Sequence, residues 1–121
     1  PDDLQGKSLL PLIRSGKAFD ADVFIEWNPK LRGDETYPPL PEITREEVKR
    51  AEDASIRTVI SPEGWKLCWS DQDKSQLFDL NKDPLETTNL YYRDGYEEVK
   101  TRLKNKIVRW QEQVRDKIFL G

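Results

Sequence analysis

The chain has 121 residues, of which 36% are charged, and its formal net charge is −3. This length suits one domain with a modest core. Such mild acidity gives no general attraction to nucleic acid or to an anionic membrane, and no apolar run approaches the roughly 20 residues that span a bilayer. We therefore expect no nucleic-acid partner and no membrane segment.

The residue types that are missing limit the chemistry further. The sequence has no His, which excludes nucleophiles and metal sites that depend on histidine. Its single cysteine, Cys68, cannot form an internal disulfide, so the redox compartment stays open. There is also no Met and no signal peptide, and we therefore expect a segment of a longer polypeptide.

The N-terminal stretch is predicted to be a short apolar turn between loops, because Gly6, Pro11 and Gly16 interrupt it. Residues 22–27, DVFIEW, are predicted to form the first strand. Alternation along this strand places Val23, Ile25 and Trp27 on one side and Phe24 and Glu26 on the other.

A proline-rich segment follows the first strand. Residues 28–43 contain Pro29, Pro38, Pro39 and Pro41, which exclude a central strand or a helix interior and predict an irregular, partly extended loop. Thr44 and Glu47 have the spacing of a capping box, which predicts a short helix over about 45–53.

Three further strands are predicted near 55–60, 65–70 and 76–80, separated by the short turns SPEG and DQDK, and these strands form an antiparallel meander. A long amphipathic helix is predicted near 95–118, with Asp94 as its N-cap and Glu97 completing a capping box. Its apolar stripe consists of Val99, Leu103, Ile107, Trp110, Val114 and Ile118.

The predicted fold class is therefore α+β, a four-stranded antiparallel sheet packed by a long C-terminal helix. Leu103 and Trp110 are expected to be buried against the sheet. One helix covers only one face of a sheet, and we predict apolar residues on both faces. The predicted helix-covered face holds Trp65 and Leu67, and the predicted second face holds Phe24, Val59, Phe78 and Leu80.

Several residue groups invite a functional interpretation, and each also has a plain structural one. Residues 79–83 match the first ligands of a calcium loop, but Pro84 and Leu90 stand where that loop needs Gly and Glu. Cys68 has no histidine as a base and is predicted to be a small buried hydrophobe. The basic residues of the helix alternate with acidic ones, as on a solvated face; they are Lys100, Arg102, Lys104, Lys106 and Arg109.

Carboxylates and tryptophans offer two weaker possibilities. Glu26, Asp71 and Asp73 could serve as paired carboxylates, but nothing in the sequence fixes their separation. Core packing is the default for Trp65, Trp69 and Trp110. Trp27 is the exception, because it stands where the first strand opens into the proline-rich loop.

The order and spacing of these motifs resemble the C-terminal region of sulfatases of the alkaline-phosphatase-like superfamily, with sulfamidase-like and arylsulfatase-like members. The segment RTVISPEGWKLCWSDQDKSQLFDLNKDPLETTNL is similar to a family pattern that ends in eLYDL..DP.E..NL. Upstream, GKSLLPLIRSG and VFIEW are similar to the segment and strand that precede it, and IVRWQEQVRD is similar to the helix end. The matching residues, which we expect to be structural together with Leu103 and Trp110, include Arg57, Lys66, Asp79, Asp83 and Asn89.

The resemblance implies a two-domain hydrolase. Its catalytic α/β domain would hold a formylglycine, made within C/S-x-P-x-R, and a calcium ion. Residues 1–21 would be a linker or the end of the catalytic region, and residues 22–121 the C-terminal subdomain, with that catalytic domain as partner. This chain lacks the C-x-P-x-R motif, since Cys68 is followed by Trp-Ser-Asp-Gln. No catalytic residue is therefore expected here, and no cofactor in this segment.

A sulfate ester, including one on a sugar, is the substrate that the resemblance implies for the parent protein. The candidate substrate contacts in this chain are Trp27, Lys30, Arg32 and Tyr37, around the loop over 28–43. Two alternatives stay open: the same subdomain of a phosphoester or phosphonate hydrolase, and a freestanding binding module. The sequence specifies no cellular location, although export to the periplasm or outside the cell would suit the parent.

Overall fold

The computed structural model describes residues 8–16, 20–29 and 42–120, with the side chain of Leu12 left aside. In chain order its elements are α1 (Leu10–Ser15), β1 (Val23–Trp27), α2 (Arg45–Asp53), β2 (Ile56–Ile60), β3 (Trp65–Ser70), β4 (Gln76–Asp79) and α3 (Glu97–Val114). The first segment thus contains one short helix rather than only a turn. Among the described residues, no helix combines the length and apolarity needed to cross a membrane.

The strands form one antiparallel sheet in the order β1-β2-β3-β4. This confirms the predicted α+β fold with a meander of the last three strands. Short turns specify these neighbours: the Gly64 amide donates to the carbonyl of Ser61 at 2.9 Å in the turn between β2 and β3. Gly64 has φ +86°, a backbone conformation that glycine adopts most readily.

Helix α2 begins as its sequence predicts. Thr44 is the N-cap: its hydroxyl accepts from the Glu47 amide, and the Glu47 carboxylate accepts from the Thr44 amide at 2.9 Å. This reciprocal arrangement satisfies two backbone donors at the helix start. The pKa of Glu47 is lowered, chiefly by the hydrogen bond from the Thr44 amide.

The hydrophobic core lies between the sheet and α3. Leu103 and Ile107 are fully buried and pack with Val59, Leu67 and Leu77. Trp110 is half-buried and stacks on Phe24 of β1, with ring centroids 5.2 Å apart and planes at 6°. The helix stripe therefore spans the sheet as far as its β1 edge, since Phe24 belongs to that strand.

The register corrects the predicted faces. Phe24 is paired with Val59, Val59 with Leu67, and Leu67 with Leu77, so this whole row lies on the helix side. Of the predicted second face, only Phe78 lies away from the helix on a strand, because Leu80 follows the end of β4. Cys68 is half-buried on the side opposite to Val59, which corrects its prediction as a small buried hydrophobe. We call this second side the helix-free face; its strand residues are Val23, Ile25, Trp27, Ile56, Thr58, Ile60, Lys66, Cys68, Ser70, Gln76 and Phe78.

Both ends of α3 differ from the prediction. The N-cap residue is Tyr96, without a side-chain cap, and Asp94 lies outside the helix because Gly95 has φ +89° between them. The Glu97 carboxylate accepts from the Gly95 amide at 3.0 Å instead. At the other end the helix stops at Val114, since Arg115 has φ +59°, the left-handed conformation that closes many helices.

Candidate functional site

A buried ion pair ties the end of β1 to the chain after α3. The Arg57 Nε lies 2.6 Å from one Asp116 carboxylate oxygen, and its Nη2 lies 3.0 Å from the other. The Nη1 of Arg57 donates to the backbone carbonyls of Trp27 and Ile56, each at 3.1 Å. Arg57 is only 1% exposed, and the bidentate pair with Asp116 compensates the cost of burying its charge. The hydrogen bond from Arg57 lowers the pKa of Asp116 to about 2.

The chain after α3 turns back around the same carboxylate. Asp116 also accepts from the Gln111 side chain at 2.9 Å and from the Ile118 amide at 3.2 Å. Gln111 in turn donates to the carbonyl of Ile118 at 2.8 Å, and Leu120 packs into the core. The role of Asp116 was not predicted, because the predicted helix continued through this position. The polar residues Gln111 and Asp116 near the helix end were the available indication of a cap.

The stretch FDLNKDPLETTNL is a network of hydrogen bonds to backbone. Asp79, itself buried, accepts from the Asn81 amide at 3.2 Å. Asp83 accepts from the amides of Thr87 and Thr88, at 3.0 and 2.8 Å, and these bonds lower the pKa of its carboxyl group. The geometry is that of a turn whose carboxylates satisfy backbone donors.

Asn89 closes the outer edge of β4. Its side-chain oxygen Oδ1 accepts from the backbone amides of Leu77 and Tyr91, and its side-chain nitrogen donates to the carbonyl of Ser75 at 3.1 Å. The Leu90 amide also donates to the carbonyl of Leu77 at 2.9 Å. The edge strand is therefore capped by a neighbouring segment and not left open.

Lys66 reaches from β3 to the same turn across the helix-free face. Its Nζ lies 2.6 Å from the Glu86 carboxylate, and both side chains are partly buried. Glu86 has φ +56°, an uncommon conformation for a residue with a side chain. The turn after β4 thus folds toward the helix-free side, where Phe78 is only 5% exposed.

The candidate substrate contacts separate into one residue that the structure describes and three that it does not. Trp27 is 54% exposed on the helix-free face, while Arg57 holds its backbone carbonyl. Lys30, Arg32 and Tyr37 lie outside the described residues, as does most of the loop over 28–43. Trp65 and Trp69, by contrast, pack in or against the core.

Three basic residues of α3 contact groups outside the helix. Lys100 donates to the carbonyl of Tyr91 at 3.0 Å, and the Lys104 Nζ lies 4.5 Å from the centre of the Trp69 ring. Lys106 binds both carboxylate oxygens of Asp22, at 2.7 and 2.8 Å. These cations therefore help to fix the helix on the sheet.

The acidic groups have local partners too. Asp71, one of the possible paired carboxylates, accepts from the Ser55 amide at 2.8 Å. Across the ranges that the structure describes, no cluster of three or more His, Cys, Asp or Glu side chains could hold a metal ion. The resemblance assigns the calcium ion and the formylglycine to the catalytic domain, and Cys68 lacks the motif in which formylglycine is made.

Comparison with protein families identifies the region. Residues 44–113, more than half of the chain, match the family described as N-sulphoglucosamine sulphohydrolase, C-terminal. The chain belongs to this family. The matched range contains α2, β2, β3, β4 and all of α3 except its last residue, so the N-sulphoglucosamine sulphohydrolase C-terminal region accounts for most of the observed fold.

A solved structure shows the same fold. The chain is similar to a 2-O GAG sulfatase with a TM-score of 0.66 and 19% sequence identity, over 96% of this chain and 22% of that one. The chain thus spans about a fifth of the length of that sulfatase. A comparison with curated protein sequences found no match.

Some of the residues described above lie inside the range that matches the family, and others lie outside it. Arg57, Lys66, Asp83 and Asn89 all lie inside the matched range of the sulphohydrolase C-terminal region. Asp116 and the elements α1 and β1 lie outside it. The buried Arg57 thus links the family region to segments on both sides, through the carbonyl of Trp27 and the carboxylate of Asp116.

Proposed function

We propose that the chain is the non-catalytic C-terminal subdomain of a sulfatase that hydrolyses sulfate esters of sugars. The family match over residues 44–113 carries this proposal. The fold shared with a 2-O GAG sulfatase supports it, and both names refer to sulfated sugars. In this proposal the catalytic α/β domain of the same polypeptide holds the formylglycine nucleophile and the calcium ion. Residues 1–21 are the linker to that domain or its end.

The hydrogen-bond geometry supports a scaffold role for this subdomain. The carboxylates of Asp79, Asp83 and Asp116 accept hydrogen bonds from backbone amides or from Arg57, which is a structural use of these groups. The sequence also has no His and no C-x-P-x-R motif in which a formylglycine could be made. The 121-residue chain alone is therefore expected to be inactive.

Hydrolysis assays on the full-length protein test the activity. We expect turnover of a sulfated sugar or an aryl sulfate, no comparable turnover of an aryl phosphate, and no turnover by the 121-residue chain. Preference for the aryl phosphate would favour the phosphoester hydrolase alternative. Turnover by the 121-residue chain that a substitution within it abolishes would overturn the non-catalytic assignment.

A second part of the proposal is that Trp27 and the following loop form one rim of the substrate pocket. The exposed indole at the point where the chain leaves β1 supports this, because an aromatic ring can stack on a sugar. Lys30 and Arg32 would pair with its anionic groups, and Tyr37 would offer a second ring.

Replacing Lys30–Leu40 in the full-length protein with a short Gly-Ser linker tests the rim. We expect a higher KM for the sulfated sugar and little change for a small aryl sulfate, because only contacts remote from the reacting bond are lost. The small substrate is thus the internal control. Equal kinetics on both substrates, with unchanged stability, would leave the loop without a role in binding.

A further inference from the structure

The part of the helix-free face that β1 contributes is open and apolar. Val23, Ile25 and Trp27 are 43%, 49% and 54% exposed, and alternation along the strand points all three side chains to the same side. The β4 half of the same face is different, since Phe78 is 5% exposed and Lys66 pairs with Glu86 above it. The opening is therefore confined to the N-terminal side of the sheet.

The segment that contains α1 also exposes apolar side chains. Leu9, Leu10 and Ile13 are 53%, 47% and 76% exposed, although the segment is apolar. Six of the eleven large hydrophobic residues that are exposed within the described ranges fall between residues 9 and 27. Scattered single apolar residues are normal on a surface, but the row of three exposed apolar side chains on one face of β1 marks a site of interaction.

The two edges of the sheet also differ. Asn89 and Leu90 hydrogen-bond to Leu77 on the outer edge of β4. Nothing among the residues that the structure describes pairs with the outer edge of β1, the other end of the sheet. Proteins generally cover or blunt an open sheet edge, and here the uncovered edge adjoins the apolar surface.

We propose that the exposed apolar side chains of β1 form the surface where the catalytic α/β domain of the same polypeptide docks, and that the exposed apolar residues near α1 face the same domain. The inference rests on the proposed function and specifies the face through which that partner is bound. It assigns no such contact to the outer side of α3 or to the β4 edge.

The position of the surface along the chain favours this occupant over a second copy. The matched family is a C-terminal region, and the similar sulfatase has most of its length outside the match. A preceding domain would enter through α1 and β1, the elements that carry the exposed apolar residues. A tethered domain needs little intrinsic affinity, because the linker holds it at a high effective concentration beside the surface.

Cys68 lies beside this surface, two strands from β1 on the same face, and a domain docked on β1 would restrict access to it. It lies on the helix-free face in one row with Thr58 and Ile25, and it is half-buried. Maleimide labelling of the Cys68 peptide, followed by mass spectrometry, compares the 121-residue chain with the full-length protein. We expect labelling to be slower by about ten-fold or more in the full-length protein, because the reagent must await local opening of a covered surface. Equal rates would overturn the inference.

Variants show whether β1 makes the contact. Ile25→Lys should restore fast Cys68 labelling in the full-length protein, whereas Val108→Lys, a matched change at a 40% exposed position on α3, should not. Both variants of the 121-residue chain should keep the wild-type urea midpoint, and Ile25→Thr offers a milder β-branched change if Ile25→Lys fails to fold. Restoration by both lysine variants, or by neither, would overturn the assignment to β1.

Two further outcomes separate this inference from other possibilities. If the full-length protein is a dimer that Ile25→Lys disperses in analytical ultracentrifugation, the surface binds a second copy and the inference is wrong. Labelling does not depend on substrate. A full-length protein that hydrolyses only aryl phosphate but protects Cys68 would therefore overturn the proposed activity and leave the docking surface standing.

Discussion

Arg57 and Asp116, 59 residues apart in the sequence, form a bidentate ion pair with N–O distances of 2.6 and 3.0 Å. The pair joins the middle of the sheet to the chain that follows α3, and the same guanidinium binds the carbonyl of Trp27. Breaking one partner of a buried pair leaves an uncompensated charge, which is more costly than losing the pair as a whole.

Asp116→Asn should therefore lower the free energy of unfolding at pH 7 by about 2–3 kcal/mol, as expected from the pKa of about 2 that Arg57 imposes on Asp116. The folded pKa lies below the ordinary value of 3.8, so the stabilisation is complete above pH 3.8 and is lost as pH falls through about 2. Urea unfolding of both proteins between pH 7 and pH 2 should show the difference shrinking over that window.

Asp53→Asn is the matched control for this experiment. Asp53 pairs with Lys49 at 3.2 Å, but the two side chains are 49% and 77% exposed, and such surface pairs contribute about 0–1 kcal/mol. A gap between Asp116→Asn and wild type that stayed constant down to pH 2 would show that the ion pair is not the source of the effect.

The elements specified by local signals were predictable. Thr44 and Glu47 form the expected capping box, and the turns on either side of β3 place β2, β3 and β4 beside one another. In each case the residues that determine the structure lie within a few positions of it. Local backbone and side-chain chemistry is sufficient there.

The faces of the sheet were harder to predict, because register is a long-range property. Phe24 pairs with Val59, which lies 35 positions further along the chain, and a shift of one residue would exchange the two faces of β1. The Arg57–Asp116 and Lys66–Glu86 ion pairs were hard to predict for the same reason. The residues near Arg57 or Lys66 in the sequence do not indicate which distant carboxylate is the partner.

Leu103 should be a principal contributor to stability, because it is fully buried between α3 and the sheet. Leu103→Ala is expected to lower the free energy of unfolding by about 2–5 kcal/mol through lost burial and the cavity left behind. Val108→Ala, on the same helix at a 40% exposed position, is the control. A loss below about 1 kcal/mol for Leu103→Ala in urea unfolding would contradict its placement in the core.

Asn89 should protect one particular amide. Asn89→Ala removes the acceptor of the Leu77 amide, and with it the donor to the carbonyl of Ser75. We expect a loss of about 1–3 kcal/mol in unfolding free energy, together with faster hydrogen exchange at Leu77. Asn89→Asp keeps the acceptor and should leave exchange at Leu77 slower than in the alanine variant. Equal exchange in the two variants would argue that Asn89 does not close this edge.

Gly64 and Gly95 form a natural pair for separating backbone strain from packing. Both have strongly positive φ angles, +86° and +89°. A Cβ at Gly64 would lie 2.5 Å from the Asn81 side-chain nitrogen, which donates to the carbonyl of Glu63, whereas a Cβ at Gly95 would meet nothing within 4 Å.

Both alanine variants should pay the cost of a left-handed residue, about 1–2 kcal/mol, and Gly64→Ala should lose more because Asn81 must move and release the Glu63 carbonyl. Urea unfolding of the two variants measures the difference directly. Adding Asn81→Ala to Gly64→Ala removes the contact, so the second substitution should cost less there than in the wild-type background. Equal losses for the two glycine variants would show that Asn81 adjusts freely and contributes nothing to the turn.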